Sequence, residues 1–458
     1  MRNSKFIASI PLMLCAIFLA SCAGGTTSST AASSKTAASS TATTSSTTAT
    51  TSSTATTTSS TATTSTTTSV GDGTISGTYT ESGSQSVTYT STNSGAGTAT
   101  ETLAGRYVIT GDCTVTGGTW SSTTGNQAVF LVVGSGNLTI KNATIVKSGT
   151  PSSVGDDQNF YGLNSAVVAA GSSAKITMSG CTVTPSSAGS NAIFSGAGAS
   201  ITVSDTTITN TGSGNSRGLH ATYGGTITAS GMSITTSGTN SAAVATDRGG
   251  GTVTVTGTAS SPCTLTTNGA DSPCLYSTGT ITATYCTGSA ASSQAMVIEG
   301  SNVIKVENCT LSGKNRSSGA AVDWGAVMLY QSMSNDSVGG EPTLEVISST
   351  ITNLDSAAPM FYVTNAKATI YLQDSTFDND GGNGQFLSTL TTRWTSTDET
   401  VIFYLANETL GAQSVNLANA STSVLSTNLY SSSVTWTNTG SGTLNASTSL
   451  SAAPTLPY

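Results

Sequence analysis

The sequence predicts an all-β fold built from repeated, stacked coils, and three observations support that prediction. Short segments with one shared pattern, such as NLTIKNATI from residue 137 and SITVSDTTI from residue 200, recur along the chain. Apolar and polar residues alternate within each segment, which is the periodicity of a β-strand. The composition is dominated by Thr, Ser, Gly, Val and Ile, as expected for a β protein with many turns.

Residues 1–21 predict a secretory signal peptide. Arg2 and Lys5 precede an apolar run, residues 10–19, that is too short to cross a bilayer as a helix. The run ends in LASC, which resembles the lipobox of bacterial lipoproteins. That resemblance implies a lipid on Cys22 and attachment to the extracytoplasmic face of a bacterial membrane, at the cell surface. The alternative is an ordinary signal peptide that is cleaved nearby, with Cys22 lost or unmodified.

Residues 22–69 predict a disordered linker. Apart from Cys22, Lys35 and the last residues, they are almost entirely Ser, Thr, Ala and Gly. Such a segment has no apolar face to bury, so it cannot offset the entropy lost on ordering. We therefore expect a flexible tether, followed by a single folded domain over residues 70–458.

The charge of the chain excludes one class of partner. The formal charge is −8, and subtracting the two positive charges of Arg2 and Lys5 gives −10 for the mature chain. Because Lys and Arg are so few, the domain has no electrostatic basis for binding nucleic acid. An acidic glycan would also be repelled unless a cation bridged it.

The repeat has a modal period of about 26 residues. This period is too short for strand–helix–strand units, and left-handed β-helices repeat on hexapeptide multiples. Val87 and Cys113 extend the series towards the N-terminus. The first inward-facing apolar residues of the successive strands are Leu138, Ile176, Ile201, Ile227, Val253, Ile281, Ile304, Leu344, Ile370 and Phe403.

This repeat resembles the right-handed parallel β-helix of the pectate-lyase-like superfamily, over about residues 75–450. The resemblance implies a single solenoid of about a dozen coils. The superfamily includes polysaccharide-cleaving enzymes, carbohydrate-binding domains and adhesin-like surface proteins. The resemblance is therefore specific for the fold and much less specific for function.

Cysteines align with the repeat as well. Cys181, Cys263, Cys286 and Cys309 occupy one inward column, and the last three lie on consecutive coils. A secreted protein can form disulfides. Parallel side chains nevertheless favour a stacked column of reduced thiols.

A second strand in each repeat carries the residues of the candidate site on its outward face. Its inward anchors are Leu219, Val244, Leu275, Met296 and Val327, and the first and third residues after each anchor point outward. Aromatic rings that stack on sugars, together with carboxylates that bond hydroxyls, are typical of glycan sites. The candidate ligand-binding residues are His220, Tyr223, Asp247, Arg248, Tyr276, Glu299, Tyr330 and Gln331. The alternative is that insertions around residues 148–162, 312–323 and 331–341 cover this strand, with Val297, Met328 and Phe361 as a buried satellite core.

The same residues give little support for catalysis. Asp247 and Glu299 lie two coils apart, which separates their columns by roughly 10 Å. Inverting glycosidases place their two carboxyls about 6.5–9.5 Å apart. Polygalacturonase-like β-helix enzymes carry a Gly-His-Gly motif, and no such motif surrounds His220. Pectate-lyase-like enzymes combine a basic residue with clustered acidic calcium ligands, and no such cluster accompanies Arg248. No catalytic residue is therefore assigned.

Two further features of the sequence give weaker predictions, a Ca²⁺ site and an ice-binding surface. Asp378 and Asp380, in FDNDGGNG, could bind Ca²⁺, although a polar turn is the simpler interpretation and no cofactor is required. Outward threonines recur at positions 139, 177, 202, 228, 254 and 282 and resemble the arrays of ice-binding β-helices. Threonine is also a common exposed strand residue, so ice binding is disfavoured.

Together these features predict a lipid-anchored surface protein that binds extracellular or cell-wall polysaccharide, or another surface ligand, without catalysis. One alternative is a polysaccharide lyase or hydrolase with the same fold. Another is a structural or display protein that binds no ligand.

Overall fold

The computed structural model describes residues 66–91, 95–314, 324–332, 336–337, 339–379, 384–389, 399–417, 424–430 and 432–447. The predicted signal peptide, the predicted lipidation site Cys22 and residues 23–65 of the predicted linker lie outside these ranges. The first strand begins at Thr66 and so includes residues 66–69 of the predicted linker.

The described residues form 37 strands and one short helix. The first strands are β1 (Thr66–Val70), β2 (Gly73–Thr90), β3 (Thr98–Thr116), β4 (Thr119–Ser122), β5 (Gln127–Val133), β6 (Asn137–Lys141) and β7 (Thr144–Lys147). The helix α1 (Asp157–Tyr161) precedes β8 (Val167–Ala170), β9 (Lys175–Ser179), β10 (Thr182–Pro185), β11 (Ile193–Gly196), β12 (Ser200–Ser204), β13 (Thr207–Asn210), β14 (Leu219–Ala221), β15 (Gly225–Ser230), β16 (Ser233–Thr236) and β17 (Val244–Thr246). The central strands are β18 (Gly251–Thr256), β19 (Cys263–Thr267), β20 (Leu275–Ser277), β21 (Thr280–Thr284), β22 (Cys286–Ala290), β23 (Met296–Glu299), β24 (Val303–Glu307), β25 (Thr310–Gly313), β26 (Val327–Tyr330), β27 (Thr343–Ile347), β28 (Thr350–Asn353) and β29 (Phe361–Thr364). The last are β30 (Lys367–Gln373), β31 (Thr376–Asp378), β32 (Gln385–Ser388), β33 (Thr400–Ala406), β34 (Thr409–Asn416), β35 (Val424–Tyr430), β36 (Ser433–Asn438) and β37 (Thr443–Ser447).

Equivalent strands of successive coils pair in parallel and form three ladders. The first ladder runs from β6 through β9 and every third strand to β33, and then to β35 and β37. The second ladder runs from β4 to β31 and is a separate ten-stranded sheet. The third ladder runs from β5 to β32 and then to β34 and β36. It joins the first ladder in a 27-stranded sheet, because β3 pairs with both β5 and β6. The fold is a right-handed parallel β-helix of about a dozen coils, as the sequence predicts.

The predicted register of the first ladder is confirmed. Each anchor pairs with the next, from Cys113 opposite Leu138 to Ile370 opposite Phe403. All of these side chains are buried in one continuous hydrophobic core. The extension to Val87 is wrong, because Val87 lies opposite Glu101 in an antiparallel pair, where no coil exists.

The long strands β2 and β3 form an antiparallel hairpin, and β1 pairs antiparallel with β2. Alternation alone does not distinguish this arrangement from a parallel coil, since both place every second side chain on the same face. The hairpin covers the edge of the sheet before the first coil, and such covering protects a solenoid against pairing with other chains.

A left-handed turn separates the first ladder from the second in most coils. The repeat NLTIKNATI contains two strands because Asn142 has a φ of 52° and ends β6. Asn and Asp tolerate this conformation better than other side chains, and glycine adopts it freely. Residues with positive φ at equivalent positions are Asn142, Gly180, Asp205, Gly231, Tyr285, Asn308, Ser348 and Asp374, and Asn407 ends β33 in the same way before β34.

Hydroxyl side chains form long columns on the outer faces of the ladders. The threonine column predicted on the first ladder is confirmed from Thr139 to Thr282, and it also includes Thr114. Two further columns run along the second ladder, and their members are exposed or half-buried. These columns are Thr119, Thr144, Thr182, Thr207, Ser233, Thr264, Thr287, Thr310, Thr350 and Thr376, and Ser121, Val146, Thr184, Thr209, Thr235, Thr266, Ser289, Ser312, Thr352 and Asp378.

Replacing Ile281 with alanine tests the structural role of the inward anchors. Ile281 is fully buried, so Ile281→Ala removes apolar contacts and leaves a cavity. We expect a loss of about 2–5 kcal/mol in the free energy of unfolding, measured with urea. The matched variant Thr282→Ala alters the adjacent outward side chain and should change that free energy by no more than about 0.5 kcal/mol. Equal losses in the two variants would contradict the inward assignment of Ile281.

Candidate functional site

The third ladder aligns the candidate residues as the sequence predicts. Its anchors are in register from Leu219 to Val327. The residues that follow these anchors form one outward column, His220, Ala245, Tyr276, Val297 and Met328. On the same face, Glu299 lies opposite Tyr330.

Much of this outward face is covered. His220, Asp247 and Glu299 are buried, with exposed fractions of 0%, 4% and 2%. Arg248, Tyr276, Tyr330 and Gln331 are half-buried. The covering elements include α1, from the insertion before β8, and residues that follow β26, so two of the insertions identified in the sequence fold over the strand.

A small satellite core lies beneath this cover. It consists of Val297, Trp324, Met328 and Tyr362, with Tyr276 and Tyr330 packed against it. The predictions for Val297 and Met328 are confirmed, whereas the prediction for Phe361 is wrong. Phe361 continues the inward anchor column opposite Val327 and is buried in the main core, so its neighbour Tyr362 occupies the outward position.

Arg217 and Asp247 form a buried ion pair. Arg217 Nη1 lies 2.6 Å from Asp247 Oδ2 and 3.1 Å from His220 Nε2. Because a guanidinium only donates, His220 Nε2 accepts and the ring proton lies on Nδ1, a buried atom with no hydrogen-bond partner. Burial, together with the charge of Arg217, holds the pKa of His220 well below its usual range. His220 is therefore neutral and enclosed.

A second ion pair attaches the covering elements to the ladder. Arg248 Nη2 lies 2.6 Å from Asp336 Oδ1, and Arg248 Nε donates to the same oxygen at 2.7 Å. The Arg248 guanidinium also lies 3.7 Å from the centre of the Phe160 ring, on α1. Asp247 also helps to position the backbone of Arg248, because Asp247 Oδ1 accepts a hydrogen bond from the Arg248 backbone N–H at 2.9 Å. Arg248 thus connects the turn after β17 with both covering segments.

Glu299 holds two tyrosines in fixed positions. Its Oε2 accepts hydrogen bonds from the Tyr276 hydroxyl at 2.8 Å and from the Tyr330 hydroxyl at 2.7 Å. Its Oε1 accepts a short hydrogen bond from Ser332. We call Tyr276 and Tyr330 the tyrosine pair. Their rings remain half-buried while their hydroxyls are fixed by one carboxylate.

Tyr223 belongs to a different environment from the other candidates. It is buried in a second satellite core, where its ring stacks on Tyr161 at 5.7 Å and meets Tyr89 edge-on at 5.3 Å. A Cβ on Gly249 would lie only 2.6 Å from this ring, and Gly249 has a φ of 77°. The glycines that follow Arg248 therefore let the chain turn tightly against Tyr223.

A shallow depression of about 200 Å³ begins at the residue that follows Tyr330. It is lined by Gln331, the residue after Tyr330, and by Gly339, Gly340, Glu341, Asn365, Ala366 and Lys367. Asn365 Nδ2 donates to the backbone carbonyl of Gln331 at 2.6 Å, which joins two walls of the depression. The lining offers both hydrogen-bond donors and acceptors.

Carboxylates outnumber guanidiniums around Arg217 and Arg248. Burial raises the pKa of Asp247 to about 6, and the charges of Asp336 and Glu299 act in the same direction, against the Arg217 charge. Burial also raises the pKa of Glu299, although hydrogen bonds from Ser332 and the tyrosine pair oppose the shift. The pKa of Asp156 is raised as well, first by burial and then by Asp336.

Sequence reasoning missed Arg217 and Asp336. Arg217 lies two residues before the anchor Leu219, and its proximity to His220 in SRGLH was the one signal available. Asp336 is 88 residues from Arg248 and belongs to an insertion without a repeat pattern. No local signal in the sequence joins these two residues.

Of the two predicted calcium ligands, only one lies within the described residues. Asp378 is exposed at the end of β31, opposite Thr352, and Asp380 lies outside the described residues. Within the described ranges, no group of three or more His, Cys, Asp or Glu side chains is arranged to hold a metal ion. Among the same residues, no helix has the length and apolar character needed to cross a membrane.

The raised carboxyl pKa values predict an unusual pH dependence of stability. Asp247 titrates near pH 4 when unfolded and near pH 6 when folded, so the folded chain binds more protons between these values. We therefore expect its contribution to stability to fall by up to about 3 kcal/mol as the pH rises from 4 to 6. Glu299 and Asp156 act in the same direction.

Thermal unfolding midpoints between pH 4 and pH 7 measure this dependence. Asp247→Asn should flatten the profile over the range from pH 4 to pH 6. Asp205 is exposed, so Asp205→Asn serves as the matched control and should leave the profile unchanged. A wild-type profile that rises over this range, and that Asp247→Asn does not alter, would contradict the assignment.

Comparison with known proteins gives this chain no family. No protein-family model matches the sequence, and a search of curated proteins finds no significantly similar relative.

Proposed function

We propose that this protein is a surface-anchored lipoprotein whose β-helix binds extracellular glycan without cleaving it. The observation that supports this most is the tyrosine pair, whose two hydroxyls Glu299 fixes, together with the polar depression that begins at the residue after Tyr330. The binding surface would consist of Tyr276, Tyr330, Ser332 and the depression that begins at Gln331. The buried residues His220, Asp247 and Glu299 would support this surface from beneath.

The chemistry of this surface suits a sugar chain. Half-buried aromatic rings offer apolar faces for pyranose rings, and fixing their hydroxyls lowers the entropy lost on binding. The depression next to Tyr330 adds an amide, a carboxylate and an ammonium group, from Asn365, Glu341 and Lys367. Such groups form hydrogen bonds with sugar hydroxyls. The pair Glu341 and Lys367 is neutral overall, which favours neutral sugars.

A non-catalytic role is consistent with how the charged side chains are used. Asp247 accepts from Arg217 and from the backbone of Arg248, and Glu299 accepts from two tyrosines and a serine. A general acid or base must reach the proton that it transfers. Here both carboxylates are buried and bonded within the protein, so they act as structural supports.

The proposed location follows from the N-terminal sequence. A lipid on Cys22 would anchor the chain, and the Ser/Thr-rich segment would hold the β-helix away from the membrane. Low charge together with an acidic balance suits a protein whose partners are polysaccharides.

Substitution of the tyrosine pair tests glycan binding. Tyr276→Ala and Tyr330→Ala each remove a ring and should weaken binding to the glycan that the wild type retains by about three- to tenfold. Affinity electrophoresis or calorimetry on a panel of neutral and acidic polysaccharides measures the dissociation constants. Tyr404→Ala, a half-exposed tyrosine on the first ladder, is the matched control. The proposal fails if the wild type binds no glycan on the panel, or if all three variants bind as it does.

Polysaccharide cleavage is the second candidate, favoured by one observation. The pKa of Asp247 is raised to about 6 beside two arginines, and perturbed carboxyls of this kind occur at catalytic sites. If this candidate is correct, the wild type should release reducing ends or unsaturated uronides from the same panel, and Asp247→Asn should abolish the release. Retention of glycan without any product would leave binding as the function.

A further inference from the structure

Three cysteines stack on consecutive coils in the interior of the β-helix. Cys263 begins β19 and lies directly opposite Cys286, which begins β22. Cys309 immediately precedes Thr310, and Thr310 lies opposite Thr287, so Cys309 continues the column on the next coil. We call Cys263, Cys286 and Cys309 the thiol column. All three are buried as free thiols.

The position that the thiol column occupies has a structural task that does not require sulfur. In successive coils, the backbone N–H at this position donates to the side chain at the same position one coil further on. Cys286 N donates to Cys309 Sγ at 3.4 Å, and Cys309 N donates to Ser349 Oγ at 2.9 Å. Ser349 N in turn donates to Ser375 Oγ at 3.2 Å. Since serine accepts this hydrogen bond in the next two coils, three cysteines in a row need another explanation.

The spacing of the coils supplies that explanation. Neighbouring strands lie about 4.8 Å apart, inside the range of about 4.4–6.8 Å that disulfides require between Cα atoms. Cys263 and Cys286 lie opposite each other on paired strands, and the Cys286 backbone N–H donates to Cys309 Sγ at 3.4 Å. Cys263 and Cys309 are separated by two coils, roughly 10 Å, and cannot be joined directly. Cys286 must therefore be one partner of any bridge within the column.

We propose that the thiol column is a cross-linking site, in which Cys286 forms a disulfide with Cys263 or with Cys309 while the chain folds in an oxidising compartment. The oxidant is a disulfide compound, such as oxidised glutathione. A protein thiolate attacks one sulfur of the oxidant and releases the other as a thiol. The second protein thiolate then attacks the mixed disulfide at the protein sulfur, which forms the bridge and releases the second oxidant thiol. Two electrons and two protons pass from the protein to the oxidant.

The third thiol remains beside the bond. When Cys263 and Cys286 are joined, Cys309 lies on the next coil beyond Cys286, about one strand spacing of 4.8 Å away, so its thiol neighbours the bond and is placed for thiol–disulfide exchange. Attack by Cys309 on Cys286 would form the alternative bridge and release Cys263 as a thiolate. The neighbouring Cys286 lowers the pKa of Cys263 to about 6 and also lowers the pKa of Cys309, and because Cys286 has a single S–H proton it favours the thiolate of one outer cysteine at a time. Glycan binding is not required for this cross-link.

Tryptic peptide mapping distinguishes the two bridges. The chain has no Lys or Arg between Arg248 and Lys305, so Cys263, Cys274 and Cys286 share the peptide 249–305. Cys309 lies on the short peptide 306–314. A Cys263–Cys286 bridge is internal to the first peptide, whereas a Cys286–Cys309 bridge joins the two. The full-length protein should be refolded with oxidised and reduced glutathione, and also isolated from the cell envelope after its thiols have been trapped by alkylation.

Serine variants decide the result. We expect the wild type to contain one bridge, or a mixture of the two, and Cys286→Ser to contain neither. Cys263→Ser and Cys309→Ser should each retain the remaining bridge. Cys274→Ser is the matched control and should keep the wild-type pattern, because Cys274 is buried outside the column, just before β20, where its thiol contacts the Leu265 carbonyl at 3.5 Å. Serine keeps the hydrogen-bond acceptor at the three column positions, so these variants should fold.

Three results would overturn the proposal. One is complete alkylation of all three cysteines of the thiol column in the wild type from both sources. Another is a bridge that includes Cys274. The third is a bridge that persists in Cys286→Ser. As a second measurement, the thermal midpoint of oxidised wild type should exceed that of reduced wild type by several degrees, and Cys286→Ser should show no such difference.

Discussion

The structure depends on one constraint, which is that every coil must turn at the same place. A residue with positive φ ends most strands of the first ladder, and the equivalent positions stack from Asn142 to Asn407. Because the turns coincide, strands of successive coils meet in register and their inward side chains fall into columns. A displacement of one residue would expose the anchors and bury the threonines. The core, the thiol column and the outward face of the third ladder all depend on this alignment.

The third ladder departs from the plain pattern of the other two. The second ladder presents mainly hydroxyls to solvent, whereas this face holds arginines and carboxylates beneath a cover. Buried ion pairs add little net stability compared with apolar packing, but they are costly to leave incomplete. Arg248 reaches Asp336 on one covering segment and Phe160 on the other. The ion pairs therefore fix where the insertions lie, and this placement leaves the rings of the tyrosine pair half-buried.

The sequence predicted the repeat well because the repeat is local. Alternation within a strand identifies anchors such as Ile201 and Ile227, and a constant period places them opposite one another. The β1–β3 hairpin was not predicted, because parallel and antiparallel strands alternate alike. At the site, alignment placed His220, Tyr276 and Glu299 on one face, while burial there is decided by insertions without periodicity. Contacts across 88 residues, such as Arg248 with Asp336, leave no trace in a local pattern.

The hydroxyl columns of the second ladder have a consequence for how the protein meets its surroundings. Across ten strands their outward positions contain no formally charged side chain except Asp378. Neutral hydroxyls hold water by hydrogen bonds, and their hydration does not change with proton concentration. Dissolved ions also have no charge there to screen. This face should thus keep the same hydration in fresh, saline, acidic or neutral surroundings, and any environmental response must arise elsewhere, above all at the carboxyls around Arg217 and Arg248.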